Sequence, residues 1–462
     1  MRPDRNNRRN QDYFMIASVL ACFIICLPVI TAAQETQQEG TVIHPEWSKN
    51  VSIYEVNLRQ FSNGGTFAEF ETHLPRLKDL GVGILWFMPI HPIGEENRKG
   101  TLGSYYAVRD YLAVNPEHGT MEEFKALVKT IHDMGMYVII DWVANHAAWD
   151  NPLLTDHPDW FTRDENGAFV PPVEDWYDVV DFDYSVPDMR AYMMDAMKFW
   201  VEKADIDGFR CDVAGMVPTD FWVDVRKELE EIKPIFMLAE WESPELVEHA
   251  FDMDYAQEFH GILNSLAMGA MEVTDVELYF EEQKDLYPPD AYRMYYTSNH
   301  DENSWNGSVY ERLGSAAEVC AVLCATVPGM PLVYSGQEAG LRKRLEFFEK
   351  DPIEWKEHSF TSIYRSLLNT KKKHPALWNG TAGGDMIRVK TSHDDDVFAF
   401  SRTKAENRVL VITNLSENSL TMTLEDSRYH GIYSDIFTGE TAILDDESKM
   451  QLIPWGYGVF VQ

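Results

Sequence analysis

The chain has 462 residues, of which 45% are hydrophobic and 25% charged. That is enough apolar material for a large core, and it excludes a disordered chain. With 40 Lys and Arg against 75 Asp and Glu, the formal net charge is −35, so a nucleic-acid partner is excluded for want of basic surface to neutralise phosphates.

Residues 1–33 have the form of an export signal. Arg2, Arg5, Arg8 and Arg9 precede the apolar run FMIASVLACFIICLPVITAA, and Thr31, Ala32 and Ala33 supply small residues for cleavage. The run is nearly long enough to span a bilayer, so an uncleaved membrane anchor is the alternative. Residues 34–43 read as a polar linker. Cys22 and Cys26 fall in the leader, and Cys211, Cys320 and Cys324 are too few and too scattered for a disulfide framework.

From residue 44 one pattern recurs: an apolar run, a polar loop, an amphipathic helix. The runs are SIYEVNL, VGILWFMPI, MYVIIDWV, IDGFRCDV, IFMLAEW, AFDMDY, RMYYTSNHD and MPLVYSGQE. Apolar strands alternating with helices predict a parallel sheet covered by helices. Eight of them predict a closed (β/α)8 TIM barrel over residues 44–146 and 187–380, a fold that typically takes ~250 residues plus insertions. Residues 147–186 lack helical period and are rich in Asp, Pro and Trp, which reads as a small domain inserted after the third strand. Beyond residue 380 the pattern changes to MIRVK, VFAFSR, RVLVITNL, LTMTL, GIYSDIF and YGVFVQ. These short alternating strands predict a C-terminal antiparallel β-sandwich over residues 381–462.

The polar residues sit where a barrel would use them. Asn145 and His146, Arg210 and Asp212, Glu240, and Asp301 each end a predicted strand, and in a barrel those ends converge on one face. Two carboxyl groups flanking one bond are what glycoside hydrolysis requires, one as nucleophile and one as protonated acid. Arg210 and Asp212 are two apart in a strand and therefore share a face. A guanidinium at that distance favours the ionised carboxylate, which a nucleophile needs. A purely structural Arg–Asp pair fits the spacing equally well. Glu240 ends the apolar run IFMLA, a setting that suits a general acid.

Taken together, these segments resemble the α-amylase family of glycoside hydrolases. DWVANH, GFRCDVAG, LAEW and SNHD match the family's conserved strand-end segments in order, and GSYYAVRDYLAVNPEHGT and GMPLVYSGQE match those after the second and eighth strands. The resemblance implies a retaining mechanism with Asp212 as nucleophile, Glu240 as acid/base and Asp301 as stabiliser of the distorted sugar. It implies substrate contacts from Tyr106, His146, Arg210 and His300, and structural support from Asp141 and Asn145. Trp241 and Trp305 fall where they line the cleft or pack beneath it.

The expected substrate is an α-1,4-glucan: starch, glycogen or maltooligosaccharide. A maltogenic or cyclodextrin-cleaving enzyme or an α-glucan transglycosylase of the same family is the alternative, and a non-catalytic glucan-binding relative a further one. No organic cofactor and no protein partner is implied. Two departures stand out. Gly215 and Met216 replace the Lys-His pair that follows the nucleophile in many relatives. Since that His helps bind calcium there, the expected structural calcium rests on Asn145 with a carboxylate of the inserted segment.

Overall fold

The computed structural model describes residues 42–445 and 447–462. The leader and most of the linker therefore lie outside the described residues. Among the described residues, no helix is long and apolar enough to cross a membrane.

Eight parallel strands close a barrel: Ile53–Val56, Ile84–Phe87, Tyr137–Trp142, Gly208–Cys211, Phe236–Ala239, Met253–Tyr255, Tyr292–Tyr295 and Met330–Tyr334. Each coincides with one of the eight apolar runs, the seventh starting one residue ahead of its run. Alternation along each strand divides the core in two. Ile53, Ile84, Trp86, Ile139, Leu238 and Met294 fill the barrel interior. Tyr54, Leu85, Val138, Ile140, Phe209 and Met237 face outward and pack under the helices. Cys211 is buried in that outer layer. Cys320 and Cys324 are buried in the helix Ala317–Thr326, with free thiols.

Local signals explain the helix boundaries. Met121–Asp133 opens with a reciprocal capping box between Thr120 and Glu123, and buries Phe124, Leu127, Val128 and Ile131. Pro187–Ala204 opens with proline at its first turn and ends on Asp205 in the left-handed region. At the base of the barrel Trp47 stacks on Tyr137, with ring centroids 3.9 Å apart.

The segment after the third strand forms a two-stranded antiparallel sheet, His146–Ala148 with Val179–Asp181, and two short helical turns. The C-terminal domain is an asymmetric sandwich. A six-stranded antiparallel sheet faces a two-stranded one, Leu420–Met422 with Met450–Leu452. Two of its strands, Thr441–Leu444 and Met450–Leu452, do not figure among the strands read from sequence. Both are short, and half or more of their residues are partly or fully exposed, so their apolar alternation is faint. The domain docks on the barrel through a buried cation: Arg402 donates to the carbonyls of Thr326 and Val327 at 3.2 and 3.0 Å.

Gly208 begins the fourth strand at φ +156, and a Cβ there would lie 1.8 Å from the Phe236 carbonyl oxygen. Gly208→Ala is therefore expected to force the fourth and fifth strands apart and to cost about 3 kcal/mol or more in a urea melt. Gly135→Ala is the contrast, because a Cβ there meets nothing within 4 Å at φ +72. Only backbone strain of about 1 kcal/mol is expected at that position. Equal losses at the two glycines would contradict the role given to close packing.

Candidate active site

At the C-terminal mouth of the barrel the side chains converge on one cation. Arg210 is fully buried on the fourth strand. Its Nη1 donates to Asp141 Oδ1 at 2.7 Å and to Asp212 Oδ1 at 3.0 Å, and its Nη2 lies 2.7 Å from Glu240 Oε1. Three strands thus deliver three carboxylates to one guanidinium. Its Nε donates to the Tyr255 hydroxyl at 3.2 Å, and its Cζ lies 5.1 Å from the Trp86 ring centre. The spacing between Arg210 and Asp212 does put both on the same face.

The electrostatics reverse one expectation. Arg210 was expected to lower the Asp212 carboxyl. Burial and the neighbouring Glu240 instead push Asp212 well above the usual carboxylate range, and Arg210 offsets only part of this. Burial is the larger cause, and the same cation also serves Asp141 and Glu240. Asp141 is likewise pushed up, to about 6, by burial.

Glu240 is fixed from its other side. Val213 N donates to Glu240 Oε2 at 2.8 Å. To aim that N–H, Val213 adopts φ 39 and ψ 47, a left-handed conformation rare for a β-branched residue. Trp241 follows Glu240 and is 42% exposed. A Cβ on Gly215 would lie 2.4 Å from the Trp241 indole, so the glycine is the seat on which that ring lies. This gives a physical reason for the departure at Gly215.

Asp301 follows the seventh strand and is more exposed than Asp212 or Glu240, with its side chain 41% accessible. Trp305 Nε1 donates to its Oδ1 at 3.1 Å, and His300 Nε2 lies 3.4 Å from its Oδ2. His300 is held at both ring nitrogens. Nδ1 is 2.5 Å from Glu55 Oε1, and Nε2 is 2.7 Å from the Tyr106 hydroxyl, which donates to Asp141 Oδ2 at 3.1 Å. Burial disfavours the imidazolium, but Asp301 and Glu55 outweigh it and push His300 up to about 9. His146 is the opposite case: burial pushes it down to about 3, so it is a neutral ring. Tyr106, His146, Asp212, Glu240, His300 and Asp301 line one cavity.

Glu55 escaped the sequence reading, although a lone carboxylate inside the apolar run SIYEVNL was a visible signal. Lys99, Asp178 and Phe347 also line the cavity, from loops whose sequences carry no periodic signal.

Asn145 sits apart from the carboxylates. Its Nδ2 donates to Asp181 Oδ1 of the inserted segment at 3.3 Å, and its Oδ1 faces His146 Nδ1 at 3.3 Å. Among the described residues no group of three or more His, Cys, Asp or Glu is placed to hold a metal. An amide and one carboxylate bonded to each other do not fit the about six to eight oxygens that calcium takes.

Comparison with known proteins agrees with this geometry. The family model "Alpha amylase, catalytic domain" matches residues 34–179 and 174–412. The model of the "Alpha-amylase SusG C-terminal domain" matches residues 397–456. Alpha-amylase MalA of Haloarcula japonica is 26% identical over 404 residues, covering 82% of this chain and 57% of the relative. The chain thus spans little more than half the length of that protein. A maltogenic α-amylase of Bacillus acidopullulyticus is 25% identical over 464 residues, covering 88% of this chain and 76% of the relative. The crystal structure of the maltogenic α-amylase AmyB from Thermotoga neapolitana is 33% identical, with a TM-score of 0.82, covering 90% of this chain and 99% of that one.

The His300 geometry makes a prediction about protonation. With a folded value of about 9 and an ordinary value of 6.5, the imidazolium's stabilising contribution is complete below pH ~6.5 and disappears as pH rises through ~9. An NMR titration of the His300 ring should show that midpoint. Glu55→Gln should lower it by at least ~1 unit, since an adjacent opposite charge shifts a pKa by ~1–3 units. An unmoved midpoint would show that Glu55 does not hold the charge.

Proposed function

The chain belongs to the α-amylase family of glycoside hydrolases, and we propose that it is an exported retaining enzyme cleaving α-1,4-glucosidic bonds in starch, glycogen or maltooligosaccharides. The observation that carries this reading is the grip of one buried guanidinium, Arg210, on both Asp212 and Glu240. Held by one fork, the two carboxyls stay close, as a double displacement needs.

In the first step Asp212 attacks the anomeric carbon while Glu240 protonates the departing glycosidic oxygen. The carbon–oxygen bond breaks and a glycosyl ester forms on Asp212. In the second step Glu240, now ionised, takes a proton from water. The resulting attack releases the sugar with its α configuration restored and frees Asp212. Burial and the neighbouring Glu240 raise the Asp212 carboxyl, and Arg210 opposes that rise in favour of the ionised form a nucleophile needs. The mechanism requires a proton on Glu240, beside the leaving oxygen.

The remaining residues orient and stabilise. Asp301 accepts hydrogen bonds from sugar hydroxyls as positive charge develops on the ring. The His300 imidazolium and the neutral His146 contact the same sugar, and Tyr106 offers its ring. Arg210 keeps Asp212 aimed, and its charge tempers the repulsion among the three carboxylates. A second reading, a maltogenic enzyme, is favoured by the two relatives of that description.

Asp212→Asn should reduce turnover of maltoheptaose about a thousandfold or more, with circular dichroism and melting unchanged. Near-normal rates would end the nucleophile assignment. Separately, proton NMR of the earliest products should show the α anomer. A β anomer appearing first would replace double displacement by single inversion.

A further inference from the structure

The barrel's topology orients the cleft. Glu240 ends the fifth strand, and in a closed ring of eight the fifth strand stands opposite the first. The acid of a glycosidase stands beside the leaving group. Loops after the second and eighth strands flank the first strand, so they rise on the other side of the mouth. That side receives the glycone, the part of the chain that becomes attached to Asp212.

Here those two loops are tied to each other. Leu102 N donates to the Phe348 carbonyl at 3.1 Å, and Thr101 N donates to Glu349 Oε1 at 2.8 Å. Beneath them the buried Arg59 guanidinium donates to the Gly103 carbonyl at 2.9 Å and the Phe347 carbonyl at 3.2 Å, so one side chain staples both backbones. Its neighbour Gln60 donates to the carbonyls of Glu346 and Glu349 at 2.8 and 2.7 Å.

The same wall continues into the inserted segment. Lys99 Nζ lies 2.9 Å from Asp178 Oδ1 and donates to the Asp175 carbonyl at 2.8 Å. The Asp178 side chain is 5% exposed and that of Lys99 18%, so this latch is largely shielded from water. Both line the cavity that holds the three carboxylates, as does Phe347. The cavity's volume is about 240 Å³, at or below the low end of the ~300–1,000 Å³ of small-ligand pockets. A glucan running through on this side would have to break the Lys99–Asp178 latch or part the two stapled loops.

We propose that this three-segment wall closes the glycone end of the cleft, so that the enzyme takes α-glucans by their non-reducing ends and admits only a short run of sugars beyond the scissile bond. The inference rests on the glycosidase reading above.

The test compares two maltoheptaosides, one with a free non-reducing end and one with its terminal O4 and O6 bridged by an ethylidene group. Fragment release from each is followed by chromatography. The blocked substrate should be cleaved about tenfold more slowly or worse. Equal rates would overturn the closed wall. Failure to cleave the free substrate would overturn the glycosidase reading itself, a separate result. Lys99→Met provides a second measurement, because it keeps an unbranched side chain there but releases Asp178. The variant should raise the blocked-to-free rate ratio several-fold; an unchanged ratio would remove the latch from the wall.

Discussion

The active site depends on one buried cation. Arg210 has no access to water, and an unpaired guanidinium there would carry a large desolvation cost. Asp141, Asp212 and Glu240 satisfy it, each brought by a different strand. The dependence runs both ways, since three carboxylates crowded at one point would repel each other without it. Arg210 therefore fixes the mutual position of the third, fourth and fifth strand ends. Asp212, despite its salt bridge, sits above the ordinary carboxylate range because burial and the charge of Glu240 outweigh the one cation it shares with two other carboxylates.

A second chain of polar contacts braces the opposite side. Glu55, His300, Tyr106 and Asp141 are linked in series from the first strand to the third. With His300 charged, both ring nitrogens donate, and the Tyr106 hydroxyl passes a hydrogen bond to Asp141. Val213 shows what such fixing costs. A β-branched residue in the left-handed region stores about 1–3 kcal/mol of strain, and its N–H is held on Glu240 in return. Strain of that kind persists only where the surroundings over-determine the backbone. Here the adjacent strand ends do so: Asp212 N bonds the Trp142 carbonyl at 2.9 Å and Glu240 N bonds the Cys211 carbonyl at 3.0 Å.

Much of this was legible in the residues because it obeys period and position. The eight apolar runs match the eight barrel strands, including AFDMDY, whose strand is only three residues long. The two-residue spacing of Arg210 and Asp212 correctly gave a shared face. Charge distribution was not legible, because spacing shows one neighbour of Arg210 and hides the other two. Glu55 was lost for a related reason: it pairs with His300, 245 residues away. Loop contacts such as Lys99 with Asp178 follow no period at all. The two small outer strands of the C-terminal domain carry too little buried apolar surface to leave a pattern.

The departures from the family's pattern gain meaning from the asymmetry of the mouth. On the side proposed to take the glycone, loops are joined by the buried Arg59, by Gln60 and by the partly shielded Lys99. On the side of the acid, the residues are apolar and accessible: Trp241 lies on Gly215, and Met216 is 36% exposed. A lysine at position 215 would need the space the indole fills, so the glycine and the tryptophan belong together. An exposed ring offers a sugar a flat apolar face and few directional bonds, which suits a leaving group that must depart after each cycle. In the proposed mechanism the braced side has the contrary task of holding one sugar still while its ring distorts and a covalent bond to Asp212 forms and breaks. Rigidity on one side and a loosely bonded platform on the other are what a two-step displacement asks of a single cleft.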